Sequence, residues 1–352
     1  MLILHRPRIP RLKLARKSSI THPLGVVLET PLLVPSFSSK GFLFKKTKTR
    51  LISEVADFMD ISAEVLTESM LVSAYDVHHK HIQPLTQIAK IGAVVFIDSG
   101  GYEVADAHDL SAVFKHPLPP LGVKWTEANL RRILGNWPKN SPAVFVSFDN
   151  TGAPFPKQLA AARKLFAQYP NQMHDIILKP DRTGKKGRHV DIPSLIPHVK
   201  ELANFDIVGF TEKDLGDSVL NRMLNVGRLR RALDDAGVMT PIHVFGSLDP
   251  ISTSLYFLAG AEIFDGLTWL RYSYREGQAV YYHNHGVLDY GIHERDSLVT
   301  ARSLRDNIYY LQRLKYQMLD FLPNSSFEKF KFCGDVIQKS YDTFWARLGG
   351  NE

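Results

Sequence analysis

The chain has 352 residues, 44% hydrophobic, 11% aromatic and 22% charged, with 43 Lys and Arg against 36 Asp and Glu for a formal charge of +7. That apolar content and near-balanced charge exclude a disordered chain, and the single cysteine, Cys333, excludes a disulfide framework and a multi-cysteine zinc site. No run approaches the roughly 20 apolar residues of a membrane helix, so no membrane partner is expected, and a pI near 9.3 favours an acidic partner such as nucleic acid.

Residues 1–20 read as a basic N-terminal arm. The first 17 residues carry Pro7 and Pro10 and no apolar stretch, which fits a cytoplasmic protein better than a secreted one. Short apolar runs then recur at residues 30–35, 55–66, 93–97, 143–148, 175–178, 205–208, 242–245 and 261–264. Continuous runs of this length fit parallel strands buried on both faces. Helical windows lie between many of them, at 126–137, 156–169, 192–205, 217–236 and 250–259, with Thr126 and Asp191 as caps and Gly237 and Gly260 as stops. About eight strands alternating with helices predict an α/β fold, a (β/α)8 barrel over residues 21–296. Residues 275–291 read as a loop or small hairpin, and 297–352 as C-terminal helices that either close the barrel or extend it.

Polar residues stand where these runs end: Asp98 after the third, Asp149 after the fourth, Lys179 after the fifth, Gly209 after the sixth, Gly246 after the seventh and Asp265 after the eighth. In a barrel the strand C-termini share one face, and active sites form there. Asp98, Asp149 and Asp265 therefore converge, unless each simply caps its next helix. Converging carboxylates suit retaining glycosyl transfer, one as nucleophile and one as acid/base.

The residues resemble the tRNA-guanine transglycosylase superfamily, whose members exchange guanine for a 7-deazaguanine. The likeness runs from about Glu29 to Leu314 and rests on five blocks in the family's order. They are Glu29-Thr30-Pro31, Phe96-Ile97-Asp98-Ser99-Gly100-Gly101-Tyr102, Ser147-Phe148-Asp149, the stretch from His243-Val244-Phe245-Gly246 to Asp265, and residues 307–314. The resemblance implies that Asp265 attacks C1′ and that Asp98 is the acid/base residue. It places Ser99, Gly100, Asp149, Gly209 and Gly246 around the base, with Lys179 or Leu178 where queuine-type enzymes hold a glutamine. Tyr102 and Phe245 match positions that sandwich the flat ring. It implies no cofactor and requires no catalytic metal.

The departures are specific. The zinc-binding C-x-C-x2-C…H module is absent, the basic P-T-R segment is replaced by residues 266–271, and Phe210 stands for the second glycine of a G-G pair. These losses make the chain most similar to the DpdA-type DNA transglycosylases, which place preQ0-like bases into DNA. Expected partners are then DNA, a 7-deazaguanine base and other proteins of a DNA-modification system. The alternatives are the same exchange on tRNA, or a non-catalytic nucleic-acid-binding subunit. A barrel acting on phosphorylated small molecules is disfavoured, because no glycine-rich phosphate loop is evident near the last two strands.

Basic residues are the candidate backbone contacts: Arg182, Lys185, Lys186 and Arg188 after the fifth strand, and Arg271 and Arg275 after the eighth. Basic segments at 6–17 and 45–50 add to the charge. Trp269, Tyr272, Tyr274, Tyr281 and Tyr282 either stack unpaired bases or pack in the core. The triplet His78, His79, His81 reads as a surface loop, His283-Asn284-His285 lacks nuclease spacing, and Cys333 as a buried residue without a role.

Overall fold

The computed structural model describes residues 13–48, 51–105, 110, 124–183 and 187–349. Eight parallel strands close into one barrel: β1 (Leu32–Phe37), β2 (Ser69–Ser73), β3 (Val94–Asp98), β4 (Ala143–Val146), β5 (Met173–Ile177), β6 (Ile207–Thr211), β7 (Ile242–Phe245) and β8 (Ile263–Gly266). The ring closes where β8 returns to β1, with Asp265 opposite Val34 and Gly266 opposite Pro35. This is the (β/α)8 TIM barrel.

The two-residue alternation of the strands sorts their side chains. Leu32, Val34, Phe96, Val144, Val146, Met173, Ile177, Ile207, Phe245 and Ile263 fill the barrel interior. Their neighbours Leu33, Val72, Val95, Ile97, Phe145, Ile176, Val208, Phe210, Val244 and Phe264 face the helices. Both faces are buried, which explains the unbroken apolar runs. The same parity carries Ser36, Asp98, Asp175, Gly209, His243 and Asp265 inward, continuing the interior columns.

Helix starts follow local chemistry. Ser53 caps α1 (Glu54–Ser62), a capping box of Thr126 and Asn129 opens α2 (Glu127–Gly135), and α3 (Phe155–Phe166) begins with Pro156 in its first turn. Ser218 accepts from the Asn221 N–H to start α4 (Val219–Asp235). Asp249 accepts from Ile251 and Ser252 N–H to start α5 (Pro250–Leu258). The apolar run at 55–66 is α1 and not a strand. Val55, Ala56, Met59 and Ser62 are buried at helical spacing, and the second barrel strand is Ser69–Ser73.

Past β8 the chain forms a short helix (Thr268–Arg271), a hairpin (Ser273–Arg275 with Gln278–Val280), a helix (Tyr282–Asp289), and then α6 (Asp296–Asn324). This α6 packs against β1, α1 and α5, so it is the eighth helix of the ring and the barrel continues beyond residue 296. Asn307 ties it to the segment that leaves β8: its Nδ2 donates to the carbonyls of Trp269 (2.7 Å) and Tyr272 (2.6 Å), and its Oδ1 accepts from the Tyr274 N–H (2.7 Å). Asn307→Ala would remove a partner from three backbone groups, two of its bonds being buried and one part-buried, and is expected to cost about 2–4 kcal/mol, seen as a lower denaturant midpoint at unchanged m-value. The last helix, α7 (Gly334–Leu348), lies outside the ring on α4 and α5, with Phe344 seated over Gly227.

The described part of the N-terminal arm docks at the barrel's other end. Leu14 and Ala15 are buried, Arg16 pairs with Asp234 and Lys17 with Glu29. The hairpin Ser19–Thr21 with Val27–Glu29 follows, and its Leu28 caps the interior core from below. Residues 13–17 are therefore a strap at the end opposite the strand C-termini, and residues 1–12 lie outside the described residues.

Candidate active site

Asp265 sits near the C-terminal end of β8 with 6% of its surface exposed, held by three donors. Ser36 Oγ, at the end of β1, donates to Oδ2 at 2.7 Å. The Gly246 N–H donates to Oδ1 at 3.2 Å, and His243 Nε2 lies 3.2 Å from the same oxygen. Gly246 has φ +81°, a left-handed turn that glycine adopts without a Cβ penalty. That turn, just after β7, aims its N–H at the carboxylate. Ser36 is fixed in turn, because the Trp269 indole N–H donates to its carbonyl at 3.1 Å. Trp269 is fully buried and edge-on to Phe37, so it belongs to the core and not to a base platform.

Behind His243 lies Asp175, fully buried on β5, its Oδ2 2.7 Å from His243 Nδ1. The imidazole thus bridges two carboxylates, Asp175 and Asp265. Burial opposes the imidazolium, but the Asp175 charge and hydrogen bond and those of Asp265 outweigh it and lift His243 to about 9. Burial pushes the Asp175 carboxyl up, against the pull of His243. Sequence reading missed Asp175 and quoted His243 only within a motif. The signal was present: a charged residue at an inward position of a buried strand needs a partner.

Asp98 ends β3 with 9% of its surface exposed. Burial first, then the charges of Asp149 and Asp265, raise its carboxyl to about 7. Asp149 accepts from Ser99 Oγ at 2.7 Å and pairs with Lys179 Nζ at 3.0 Å. Lys179 also meets Asp214 at 3.4 Å, and the two carboxylates overcome burial to raise its pKa. Leu178 faces the helices, so Lys179 is the residue of that pair that reaches the site. Gly100 packs against Trp125, whose indole N–H donates to the Ser99 carbonyl at 3.0 Å. A Cβ on Gly209 would fall 2.2 Å from the Phe245 ring, so that close approach needs glycine. Phe245 itself stacks on His243 with ring centroids 3.8 Å apart. Tyr102 stands on the rim, half-buried, with Lys40 Nζ 4.7 Å from its ring centroid and Arg271 Nη2 3.5 Å from its hydroxyl. Phe210 points into the helix layer, so that departure from the family pattern lies away from the carboxylates.

No protein-family model matches the chain, and no curated protein matches it. The functional reading therefore rests on the site and on the sequence motifs.

The candidate nucleic-acid residues are placed unevenly. Arg182 and Arg188 are exposed beyond β5, on the carboxylate side of the barrel, while Lys185 and Lys186 lie outside the described residues. The hairpin Phe44–Lys46 with Leu51–Ser53 follows β1 on that side too and exposes Lys46 and Lys48. Arg271 is half-buried, donating to the Lys40 carbonyl at 3.3 Å and lying over the Phe42 ring. Arg275 pairs with Asp289 at 3.4 Å. Tyr274 is core, whereas Tyr281 is 51% exposed. Among the described residues no helix is long and apolar enough to cross a membrane.

The histidine triplet is not a surface loop. His81 is 1% exposed and its Nδ1 lies 2.9 Å from the fully buried Asp76, which also accepts from the Ser39 N–H at 2.7 Å. His78 and His79 pack with Tyr75 and Trp125 behind Gly100. The reason is Asp76, an acidic residue on a buried helix turn that takes His81 and Ser39 as partners.

Proposed function

We propose that the chain is a base-exchange transglycosylase that replaces guanine in DNA with a 7-deazaguanine, preQ0-like base through a covalent Asp265–C1′ intermediate. The observation that carries this reading is the pairing at one strand edge of two unequal carboxyls. Asp265 is held by three donors, with one oxygen gripped by Ser36 and the other by Gly246 and His243. Asp98 is poised near neutrality by burial and by its charged neighbours. Environments that separate two carboxyls in this way divide nucleophile from acid/base.

In the first half-reaction an Asp265 oxygen attacks C1′ as the C1′–N9 bond breaks. The bonding pair leaves on N9 of guanine, which takes a proton from Asp98. In the second half the incoming base gives its N9 proton to Asp98, N9 attacks C1′, and the Asp265 carboxylate leaves. Two inversions retain the configuration. The target nucleotide must leave its stack to reach the carboxylates. Asp149 suits the donor edge of guanine, and Lys179 beside it balances that charge.

DNA is preferred because the chain lacks the cysteine module and the P-T-R segment that other members use near tRNA. Residues 273–289, a hairpin and a helix, stand there instead without a cysteine. The test is exchange of radiolabelled guanine into duplex DNA and into bulk tRNA, with Asp265→Ala as control. Label entering DNA and lost in the variant is the expected result. Label entering tRNA alone would move the target to RNA, and label entering neither, with or without a partner protein, would sink the catalytic reading.

A further inference from the structure

We infer that Asp175, acting through His243, is a positioning pair for the nucleophile: it holds Asp265 Oδ1 from behind, assigns the attack to Oδ2, and supports the carboxylate again when it is expelled. The inference rests on the transglycosylase reading for its kinetic arm alone.

The geometry starts with lone pairs. Oδ1 of Asp265 accepts from the Gly246 N–H and from His243 Nε2, both at 3.2 Å. Among the described residues Oδ2 accepts from Ser36 Oγ alone, at 2.7 Å. Oδ2 therefore keeps a lone pair for C1′ while Oδ1 is saturated. Once the ester forms through Oδ2, Oδ1 becomes its carbonyl oxygen. Two aligned donors on a carbonyl oxygen polarise it, and they take up its charge as the C1′–O bond breaks in the second half-reaction.

His243 can donate on both sides only as an imidazolium, because a neutral ring has one N–H. Asp175 supplies the need for the second proton, 2.7 Å from Nδ1. The ring is fully buried between the strands. Its charged neighbours are Asp175 from β5 and Asp265 from β8, while Phe96 from β3 and Phe245 from its own strand contribute apolar rings. Asp175 feels the charges of Asp265 and Asp206 besides. No other cation is in contact with either oxygen of Asp265 among the described residues, so the ring is the nucleophile's own counter-charge. A midpoint for His243 of about 9 agrees with this arrangement.

Asp175→Asn keeps the shape and removes the charge. Its amide leaves a neutral ring that presents either a lone pair or a single N–H to Asp265, much as the wrong tautomer cripples a serine-protease histidine. Two measurements decide. The first is an NMR titration of the histidine ring nitrogens in the full chain, read without substrate. His243 should stay charged to about pH 9 in the parent, with a midpoint at least ~2 units lower in Asp175→Asn. The second is the single-turnover rate of adduct formation on DNA. The variant-to-parent ratio should fall roughly tenfold per pH unit between the lowered midpoint and about 9. A merely structural role would give a ratio constant with pH. His243→Gln serves as a second variant, since it retains an N–H donor that does not titrate. Its ratio to the parent should rise above about pH 9. A parent His243 that titrates below pH 7, a midpoint unmoved by Asp175→Asn, or a pH-independent ratio would each overturn the pair. A parent that forms no adduct on DNA or tRNA would instead sink the transglycosylase reading, with the titration still deciding the charge state of the ring.

Discussion

Asp265→Ala is expected to abolish base exchange, a loss of about 10^4-fold or more, because the proposed mechanism assigns the bond to C1′ to Asp265. The parent, given DNA and no incoming base, should yield a protein–DNA adduct that survives denaturing electrophoresis. The variant should yield none. Asp265→Asn is the sharper control. It keeps the shape that Ser36, His243 and Gly246 grip, so the fold and DNA affinity should persist while the adduct disappears. An adduct in either variant would remove Asp265 from the role. Loss of DNA binding together with activity would instead indicate that the carboxylate organises the strand edge and does not attack.

The expectation that the carboxylates share one end of the barrel needed only that each followed an apolar run. The runs at 93–97, 143–148 and 261–264 lead into Asp98, Asp149 and Asp265, and the strands end at Asp98, Val146 and Gly266, within three residues of them. The second strand was illegible for a different reason. Ser69–Ser73 has serines at both ends and three apolar residues between, while the longer run at 55–66 is richer in apolar residues. Period decides between them: Val55, Ala56, Met59 and Ser62 lie on one helical face. The eighth helix was legible as a helix but not as part of the ring, because nothing local in residues 296–324 says what they pack against. Asn307, deep in that helix, is the residue that answers it.

Asp175 and His243 are 68 residues apart, and only the barrel's closure brings them to 2.7 Å. Parity finds each of them alone, since both share the inward register of apolar neighbours. Their pairing follows from β5, β6 and β7 lying side by side, with Gly209 between them on β6 leaving room for the contact. The His78–His81 triplet failed as a surface loop because hydrophilicity was read without its acceptor. Asp76 precedes the triplet and is fully buried, and a buried carboxylate next to histidines predicts buried histidines.

Asp98 carries the second large effect, and its pH dependence has a definite sign. Its carboxyl is raised to about 7 by burial, then by the charges of Asp149 and Asp265. In the proposed mechanism it must be protonated to release guanine, so single-turnover adduct formation should be flat below about pH 7 and fall tenfold per unit above it. When Asp265 becomes an ester its charge disappears, and with it one of the causes that hold the Asp98 proton. Asp98 is thereby a stronger acid as it gives up that proton, and a carboxylate ready to accept the N9 proton of the incoming base. Asp98→Asn should lower exchange by roughly 10^2–10^4-fold and erase the limb near pH 7. Stability supplies a check that needs no substrate. A carboxyl whose folded pKa is raised destabilises the fold as it ionises, so the parent loses stability as pH climbs from about 4 to about 7. The melting temperature of Asp98→Asn should therefore pull ahead of the parent's across that window and hold a constant lead above it. A lead that does not widen between about pH 4 and 7 would show that Asp98 ionises like an exposed carboxylate, and would end its case as the proton carrier.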